Sequence, residues 1–261
     1  LIFPVTSMPS LTELGITDAR QMRLLREGIM NWQMIGMLIG GIFWGVLGDK
    51  IGRRSVLFGS ITLYSLANIA NGFVQDIESY HYIRLIAGFG LAGELGAAIT
   101  LVSETLPKEA RGYGTAIVAS VGVSGAIFAG AIGTHVYWRT AYFIGGGLGF
   151  ALLLLRVGFG ESSMFTHTKE SGVSRGNFFA LLWPRERLGR YLSCILIGVP
   201  LWFGVGILIN LSSDLAAELG VQGAVKPATA VAVCYAGLTL GDFASGGLSQ
   251  LLRSRRRAVA V

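Results

Sequence analysis

Glu94 combines a reactive side chain with an unusual position in the sequence. It lies in an apolar stretch, ten residues after Arg84 and ten before Glu104. At about 1.5 Å per helical residue each separation is about 15 Å, so we expect Glu94 near the middle of a hydrocarbon core roughly 30 Å thick. A carboxylate is costly there unless it is protonated, paired or exposed to water. We expect Glu94 to bind a proton or a substrate ammonium group; the alternative is a structural hydrogen bond between helices.

Asp242 has a similar position on a later apolar stretch. It follows Lys226 by sixteen residues and precedes Arg253 by eleven, which again indicates mid-membrane depth. One interpretation is a role in proton coupling or substrate binding. The other is a pair with a neighbouring helix end or an arginine.

The composition indicates that these carboxylates belong to a membrane protein. Hydrophobic residues make up 52% of the 261 residues and charged residues 14%, whereas roughly a quarter of the residues are charged in soluble domains. The net charge is +6, but the basic residues are scattered between apolar stretches, which excludes a nucleic-acid-binding patch. A lipid bilayer is therefore the predicted surrounding, and nucleic acid is not a predicted partner.

Neither an enzyme nor a cofactor site is predicted. The residues from Gly88 to Gly93 match the dinucleotide fingerprint G-x-G-x-x-G, but that fingerprint requires a preceding strand and a soluble βαβ unit. Cys194 and Cys234 show no metal-binding spacing. No nucleophile, base and orienting group occur at a recognisable spacing, so we expect no catalytic residue, metal or cofactor.

Apolar stretches of about 20 residues predict an all-α, polytopic membrane protein. A truncated span ends near Pro9. The full spans cover roughly 28–47, 55–74, 82–103, 113–136, 139–159, 190–211 and 227–250. Fourteen of the 21 basic residues fall on one side of these spans, which the positive-inside rule makes cytoplasmic.

The spans divide the chain into three parts. Residues 1–160 form a six-helix half whose first helix is truncated, 161–189 form a cytoplasmic linker, and 190–261 hold helices seven, eight and the start of nine. Within the linker, residues 178–183 are rich in aromatic and aliphatic side chains and precede three arginines. This pattern is typical of an interfacial amphipathic segment.

The loop between the second and third spans carries the most specific motif. It contains, in order, Gly45, Leu47, Asp49, Lys50, Gly52, Arg53 and Arg54. This loop resembles the signature of the major facilitator superfamily. Further matches are Arg84 with Gly88 and Gly90, the stretch from Glu104 to Gly112, Trp138-Arg139 and Glu161-Ser162. The stretch 88–96 is most similar to the metabolite–proton and aromatic-acid–proton symporter branches, with the sugar porters as more distant relatives.

The resemblance implies the major facilitator fold, with helices one (partial) to eight of twelve. It also implies a cytoplasmic gate of ion pairs that hold the two halves together in the outward-open state. The gate residues would be Gly45, Asp49, Gly52, Arg53, Arg54, Glu104, Arg111 and Glu161. The alternative is that these charges only fix the topology and the loop turns.

The same resemblance gives roles to residues inside the spans. Arg84 would take part in proton coupling, unless it lies at the outer end of its helix and snorkels to the surface. A substrate cavity would be lined by Trp202, Asn210, Tyr235 and Thr239, although each is a type that also serves helix packing. Arg156 is expected to snorkel or to pair with Glu161.

The implied function is secondary active transport by alternating access. The expected reaction is proton symport of a small organic acid or zwitterionic metabolite, so the partners are a small-molecule substrate, protons and the lipid bilayer. The alternatives are a porter for sugars or other neutral solutes and a non-transporting receptor or sensor with the same fold. The expected location is the bacterial inner membrane, with a eukaryotic source as the alternative.

Overall fold

Helices are the regular elements throughout the part of the chain that the structure describes. In the computed structural model, the described residues are 2–107, 110–156, 175–209, 211–221, 225, 227–252, 254 and 257–258. The helices are α1 (Phe3–Glu13), α2 (Ala19–Ile51), α3 (Arg53–Gly72), α4 (Ile77–Thr105), α5 (Arg111–His135), α6 (Trp138–Leu155), α7 (Phe179–Leu182), α8 (Arg185–Phe203), α9 (Ser212–Glu218) and α10 (Pro227–Leu251). A π-helical turn, Gly204–Ile209, continues α8.

Five segments of the described chain are long and apolar enough to cross a membrane. These segments are Ala19–Ile51, Ile77–Thr105, Trp138–Leu155, Arg185–Ile209 and Thr229–Leu251. Helices also form at the other two full spans expected from the sequence, as α3 and α5. The buried face of α3 carries hydroxyls and amides, among them Asn68 and Asn71, which makes this helix more polar than its neighbours.

Local signals fix where several helices begin and end. Asp18 accepts a hydrogen bond from the backbone N–H of Gln21 at 2.7 Å, and Asp76 accepts one from Ser79 at 2.7 Å. These side chains cap the free N–H groups at the starts of α2 and α4. Gly52 alone separates α2 from α3, with φ of 104° and ψ of 156°, a conformation that is essentially restricted to glycine.

The helix α4 lies against both α2 and α3, and α3 also packs on α6. The contact between α2 and α4 is close because glycine lies in it. A Cβ atom added at Gly88 would overlap the backbone carbonyl of Gln33, and one at Gly36 would overlap that of Leu85. These glycines therefore permit the close packing of α2 against α4.

The later helices contact the first six mainly through α5, which packs along α10. Following the predicted orientation, we call the end of the bundle that contains Gly52 the inner end. The opposite end, which contains Glu13 and Trp138, is the outer end. A buried apolar cluster lies toward this outer end, formed by Phe3, Leu11, Ile29, Val74, Tyr80, Trp138 and Tyr142.

Candidate functional site

Arg84 lies on α4, where its guanidinium is buried against three other helices. Its side chain has a relative exposure of 3%, so the snorkelling alternative is wrong. One guanidinium nitrogen donates a hydrogen bond to Oε1 of Gln33 on α2. The guanidinium carbon lies over the rings of Phe3 on α1 and Tyr142 on α6, at 4.9 Å and 5.7 Å from the ring centroids.

A chain of buried hydroxyl groups continues from Arg84 toward α1. The Tyr80 and Tyr142 hydroxyls are 2.9 Å apart, and the Thr6 hydroxyl donates to Tyr142 at 3.3 Å. Ser10 lies 3.3 Å from the Tyr80 hydroxyl. Sequence reasoning missed these residues and Gln33. The one available signal was the spacing of Tyr80 and Arg84, which puts both side chains on one face of α4.

Glu94 forms an ion pair with Arg156 at the end of α6. The Oε1 atom of Glu94 lies 3.6 Å from a guanidinium nitrogen of Arg156, and the two side chains are 27% and 22% exposed. Glu94 therefore meets the expectation of a paired or hydrated carboxylate. The interpretation of Arg156 changes, because the structure gives it Glu94 as a partner, whereas Glu161 lies outside the described residues.

Three of the expected gate residues, Asp49, Arg53 and Glu104, lie together at the inner end. Arg53 donates to Asp49 at 2.7 Å and to Glu104 at 3.4 Å, and we call these three residues the inner cluster. They connect the end of α2, the start of α3 and the end of α4. Together with Gly45 they line a cleft of about 800 Å³, which is also bounded by α7 and the start of α8.

The other expected gate residues have varied contacts. Arg54 lies over the Phe58 ring at 5.5 Å, and Arg111 donates from Nε to the backbone carbonyl of Leu106 at 3.0 Å. Gly52 supplies the turn that brings Asp49 and Arg53 onto adjacent helices. Glu161 lies outside the described residues.

Charged pairs at the outer end connect α2 with α9. Arg23 lies 3.6 Å from Asp214 and 3.5 Å from Glu218, and Arg26 lies 3.7 Å from Asp214. We call these four residues the outer cluster. Nothing in the sequence indicates this cluster, because its pairs join residues almost two hundred positions apart.

Glu13 joins α1 to the start of α6, also at the outer end. It accepts hydrogen bonds from Tyr137 and Trp138, each at 2.6 Å, and from Arg139 at 3.1 Å. Arg139 also donates to the backbone carbonyl of Val74 at 2.7 Å. The hydrogen bond from Tyr137, followed by those from Trp138 and Arg139, holds the pKa of Glu13 below its ordinary value.

Four residues expected on the seventh and eighth spans are described: Trp202, Tyr235, Thr239 and Asp242. None of these four forms a hydrogen bond or an ion pair with Glu94 or Arg84. Trp202 is exposed, and Thr239 donates to the backbone carbonyl of Tyr235 at 2.8 Å. Asn210 lies outside the described residues. Within the described ranges, no group of three or more His, Cys, Asp or Glu could hold a metal ion.

The chain is similar to known proteins of one family. Residues 2–261 match the model of the Major Facilitator Superfamily. The 3-(3-hydroxy-phenyl)propionate transporter of Escherichia coli is 29% identical over 255 residues, which are 92% of this chain and 59% of that protein. The niacin transporter NiaP of Acinetobacter baylyi is 35% identical over 122 residues, which are 45% of this chain and 28% of that protein.

Solved structures show the same fold. The structure of the proton:xylose symporter XylE covers 96% of this chain with a TM-score of 0.62 and 16% sequence identity. The chain covers 63% of that structure. It therefore spans about three fifths of the length of both the E. coli relative and XylE.

Proposed function

The chain belongs to the Major Facilitator Superfamily, and on that basis we propose that the complete protein is a proton-coupled symporter for a small organic acid or zwitterionic metabolite. The family and the five apolar helices make the chain a multi-pass integral membrane protein. Because the named relatives come from bacteria, the proposed location is a bacterial inner membrane.

The names of the relatives support an organic acid as the substrate. One is named for 3-(3-hydroxy-phenyl)propionate and another for niacin, and both molecules carry an aromatic ring and a single carboxylate. The likeness to XylE concerns the fold alone, since the sequence identity is 16%. The organic-acid proposal is therefore preferred to a sugar porter.

The pairing of Glu94 with Arg156 is the observation that carries the proton-coupling proposal. Glu94 lies eleven residues before the end of α4, or about 16 Å from Thr105 along the helix. Its charge is partly shielded from water, and Arg156 is its partner at 3.6 Å. Protonation of Glu94 would remove the negative charge and weaken this pair, so the proton would change how α4 and α6 are held together.

The two charged clusters support alternating access. The inner and outer clusters lie at opposite ends of the bundle, and a transporter must close one end while it opens the other. Ion pairs at the surface contribute about 0 to 1 kcal/mol each. A few such pairs are sufficient to change the populations of two conformers that differ by a few kcal/mol.

The proposal is tested by uptake into proteoliposomes made with the complete protein. Organic acids, zwitterions and sugars are supplied with and without an inward proton gradient. We expect gradient-driven accumulation of an organic acid, and its loss in Glu94→Gln. Glu78→Gln is the matched control, because Glu78 lies on the same helix but is exposed in its first turn.

Three results would contradict the proposal. Equal accumulation by wild type and Glu94→Gln would remove Glu94 from proton coupling and leave it a structural role. Flux that ignores the gradient would indicate a uniporter, and absence of any accumulation would indicate a sensor with the transporter fold.

A further inference from the structure

Trp44 on α2 is buried and forms a hydrogen bond with the backbone of α4. It has a relative exposure of 9%, and its indole Nε1–H donates to the carbonyl oxygen of Phe89 at 2.7 Å. Phe89 lies in the interior of α4, where each carbonyl is also the acceptor for the N–H group four residues later, here that of Gly93. The indole therefore fastens the turn 89–93 of α4 to α2.

The Trp44 ring fills a slot that glycines leave open between α3 and α4. A Cβ atom added at Gly93 would lie 2.7 Å from Cγ of Trp44, and one added at Gly59 on α3 would lie 3.0 Å from its Cη2. Carbon atoms in contact ordinarily lie about 3.5–4.0 Å apart, so a larger side chain at either position would displace the ring. Trp44 thus contacts α3 and α4 at once, through residues that lack a side chain.

The turn that Trp44 holds leads directly to Glu94, which follows Gly93 in the chain. Four glycines occur within residues 88–96, and glycine weakens a helix interior relative to alanine. The Glu94 carboxylate lies 3.6 Å from the Arg156 guanidinium, a distance too long for a direct hydrogen bond to fix the pair. The alignment of Glu94 with Arg156 therefore depends on the backbone of α4, which the indole stabilises.

We propose that Trp44 is a positioning residue, which holds the backbone before Glu94 so that its carboxylate stays aligned with Arg156. This inference rests on the proposed function, because it gives Trp44 a part in proton coupling through Glu94. Trp44 takes up no proton itself and acts only through the turn 89–93, by its hydrogen bond to Phe89 and by its contact with Gly93.

A double-mutant cycle on the full-length protein in detergent tests this assignment. Spin labels at Thr105 and Leu155, which are exposed at the inner ends of α4 and α6, report the separation of the two helices. Glu94→Gln stands in for the protonated side chain, and in the wild type we expect it to shift the population toward the wider separation by about tenfold. In Trp44→Phe, which keeps a ring but loses the indole N–H, the same change should shift the population by about threefold or less.

Three further variants control the cycle. Trp32→Phe makes the same change on the same helix, at a tryptophan that is 36% exposed, so Glu94→Gln should keep its full effect there. Gly93→Ala would displace the Trp44 indole without removing its N–H and should weaken the effect as Trp44→Phe does. Gly96→Ala, in open space on α4, should leave the effect unchanged. The two glycine variants also decide the question if Trp44→Phe does not fold.

Three results would overturn the inference. They are an equal effect of Glu94→Gln in the wild type and in Trp44→Phe, loss of that effect in Trp32→Phe as well, and no effect of Glu94→Gln in the wild type. The first is expected of a residue that only stabilises the fold, because its change and that of Glu94 would then add. The proposed function fails separately: the cycle uses neither substrate nor gradient, so uptake that ignores the gradient would leave its result unchanged.

Discussion

The inner and outer clusters contain similar ion pairs but connect different parts of the chain. In the inner cluster Asp49 and Arg53 are four residues apart, and Glu104 is 51 residues beyond Arg53. In the outer cluster Arg23 and Glu218 are separated by 195 residues. The inner pairs thus hold α2, α3 and α4 together, whereas the outer pairs connect the first six helices with a later one.

In the proposed transport cycle, this difference indicates which contacts change when one end of the bundle opens. The resemblance to the family implied that the inner charges hold two halves together, and this remains a prediction. The described pairs of the inner cluster lie within the first six helices, and the linker approaches them at Gly176, where an added Cβ would lie 2.7 Å from the Val46 carbonyl oxygen. The outer pairs span the two parts directly, so we expect them to break when the outer end opens.

Gly52→Ala should have the largest effect, because the inner cluster depends on the turn at Gly52. The residue has φ of 104°, and an alanine there would cost about 1–3 kcal/mol. The measurement is the thermal unfolding temperature of the full-length protein in detergent, which should fall by several degrees. Gly41→Ala, in open space on α2, is the control and should be neutral or slightly stabilising. Equal effects of the two changes would show that the turn is not strained.

Arg53→Gln should shift the balance of inward-open and outward-open forms. It removes both pairs of the inner cluster. The family resemblance implies that this cluster also closes the inner end, and on that basis we expect about a tenfold shift toward the inward-open form, or about 1.4 kcal/mol. Distances between spin labels placed at the inner and outer ends would measure this shift. Asp49→Asn should have a smaller effect, because Asp49 is 48% exposed. If the distribution of inward-open and outward-open forms were unchanged in Arg53→Gln, the charges of the inner cluster would serve only to fix the topology.

Arg26→Gln should shift the same balance in the opposite direction, by about threefold to fivefold. Arg26 is only 10% exposed and also donates to Ser7 on α1 at 3.2 Å. Arg23→Gln should have a smaller effect, since Arg23 and Glu218 are more exposed. The same label distances would report the change. If Arg26→Gln and Arg53→Gln both favoured the inward-open form, the contrast between the clusters would be wrong.

The smallest expected effect is a pH dependence of stability at Glu13, which lies at the outer end but joins α1 to α6. Its pKa is lowered in the folded protein from an ordinary value of 4.5. The stability it contributes is therefore fully present above about pH 4.5 and is lost as the pH falls through the lowered folded value. Unfolding temperatures from pH 7 down to pH 3 would show this loss.

Two variants isolate the contribution of Glu13. Glu13→Gln should remove it from the pH profile, and Tyr137→Phe should reduce it, because the Tyr137 hydroxyl is the largest cause of the lowered pKa. An identical profile for wild type and Glu13→Gln would show that these hydrogen bonds do not stabilise the folded state.

Much of the fold was predictable, because its signals are local. The apolar stretches predicted α2 to α6, α8 and α10 in their observed order, but not the short helices α7 and α9. The loop around Asp49 and Arg53 indicated the family. The mid-membrane depth of Glu94, inferred from its distance to Arg84 and Glu104, stays a prediction. The helix ends differed from expectation where capping decided them: α2 begins at Ala19, after Asp18, rather than near residue 28.

The candidate site was only partly predictable. Glu94 and Asp242 were selected because charge is rare in a membrane span, and Arg84 because it matches the family pattern. Neither signal showed that Arg84 is buried beside the rings of Phe3 and Tyr142, whereas Asp242 is only partly covered. Gln33 and Tyr142 escaped notice because single amides and tyrosines are ordinary in helix contacts.

The sequence by itself determined the membrane environment, the order of the helices and the family, since each depends on composition or on residues close together in the chain. Only the tertiary structure decided that Glu94 pairs with Arg156, that Arg84 lies between Phe3 and Tyr142, and that Arg26 reaches Asp214. Those contacts join different helices, and their geometry follows from the rotation and depth of each helix in the bundle. Rotation and depth are set by packing, such as the close approach of α2 and α4 at Gly88, rather than by the spacing of residues along one helix.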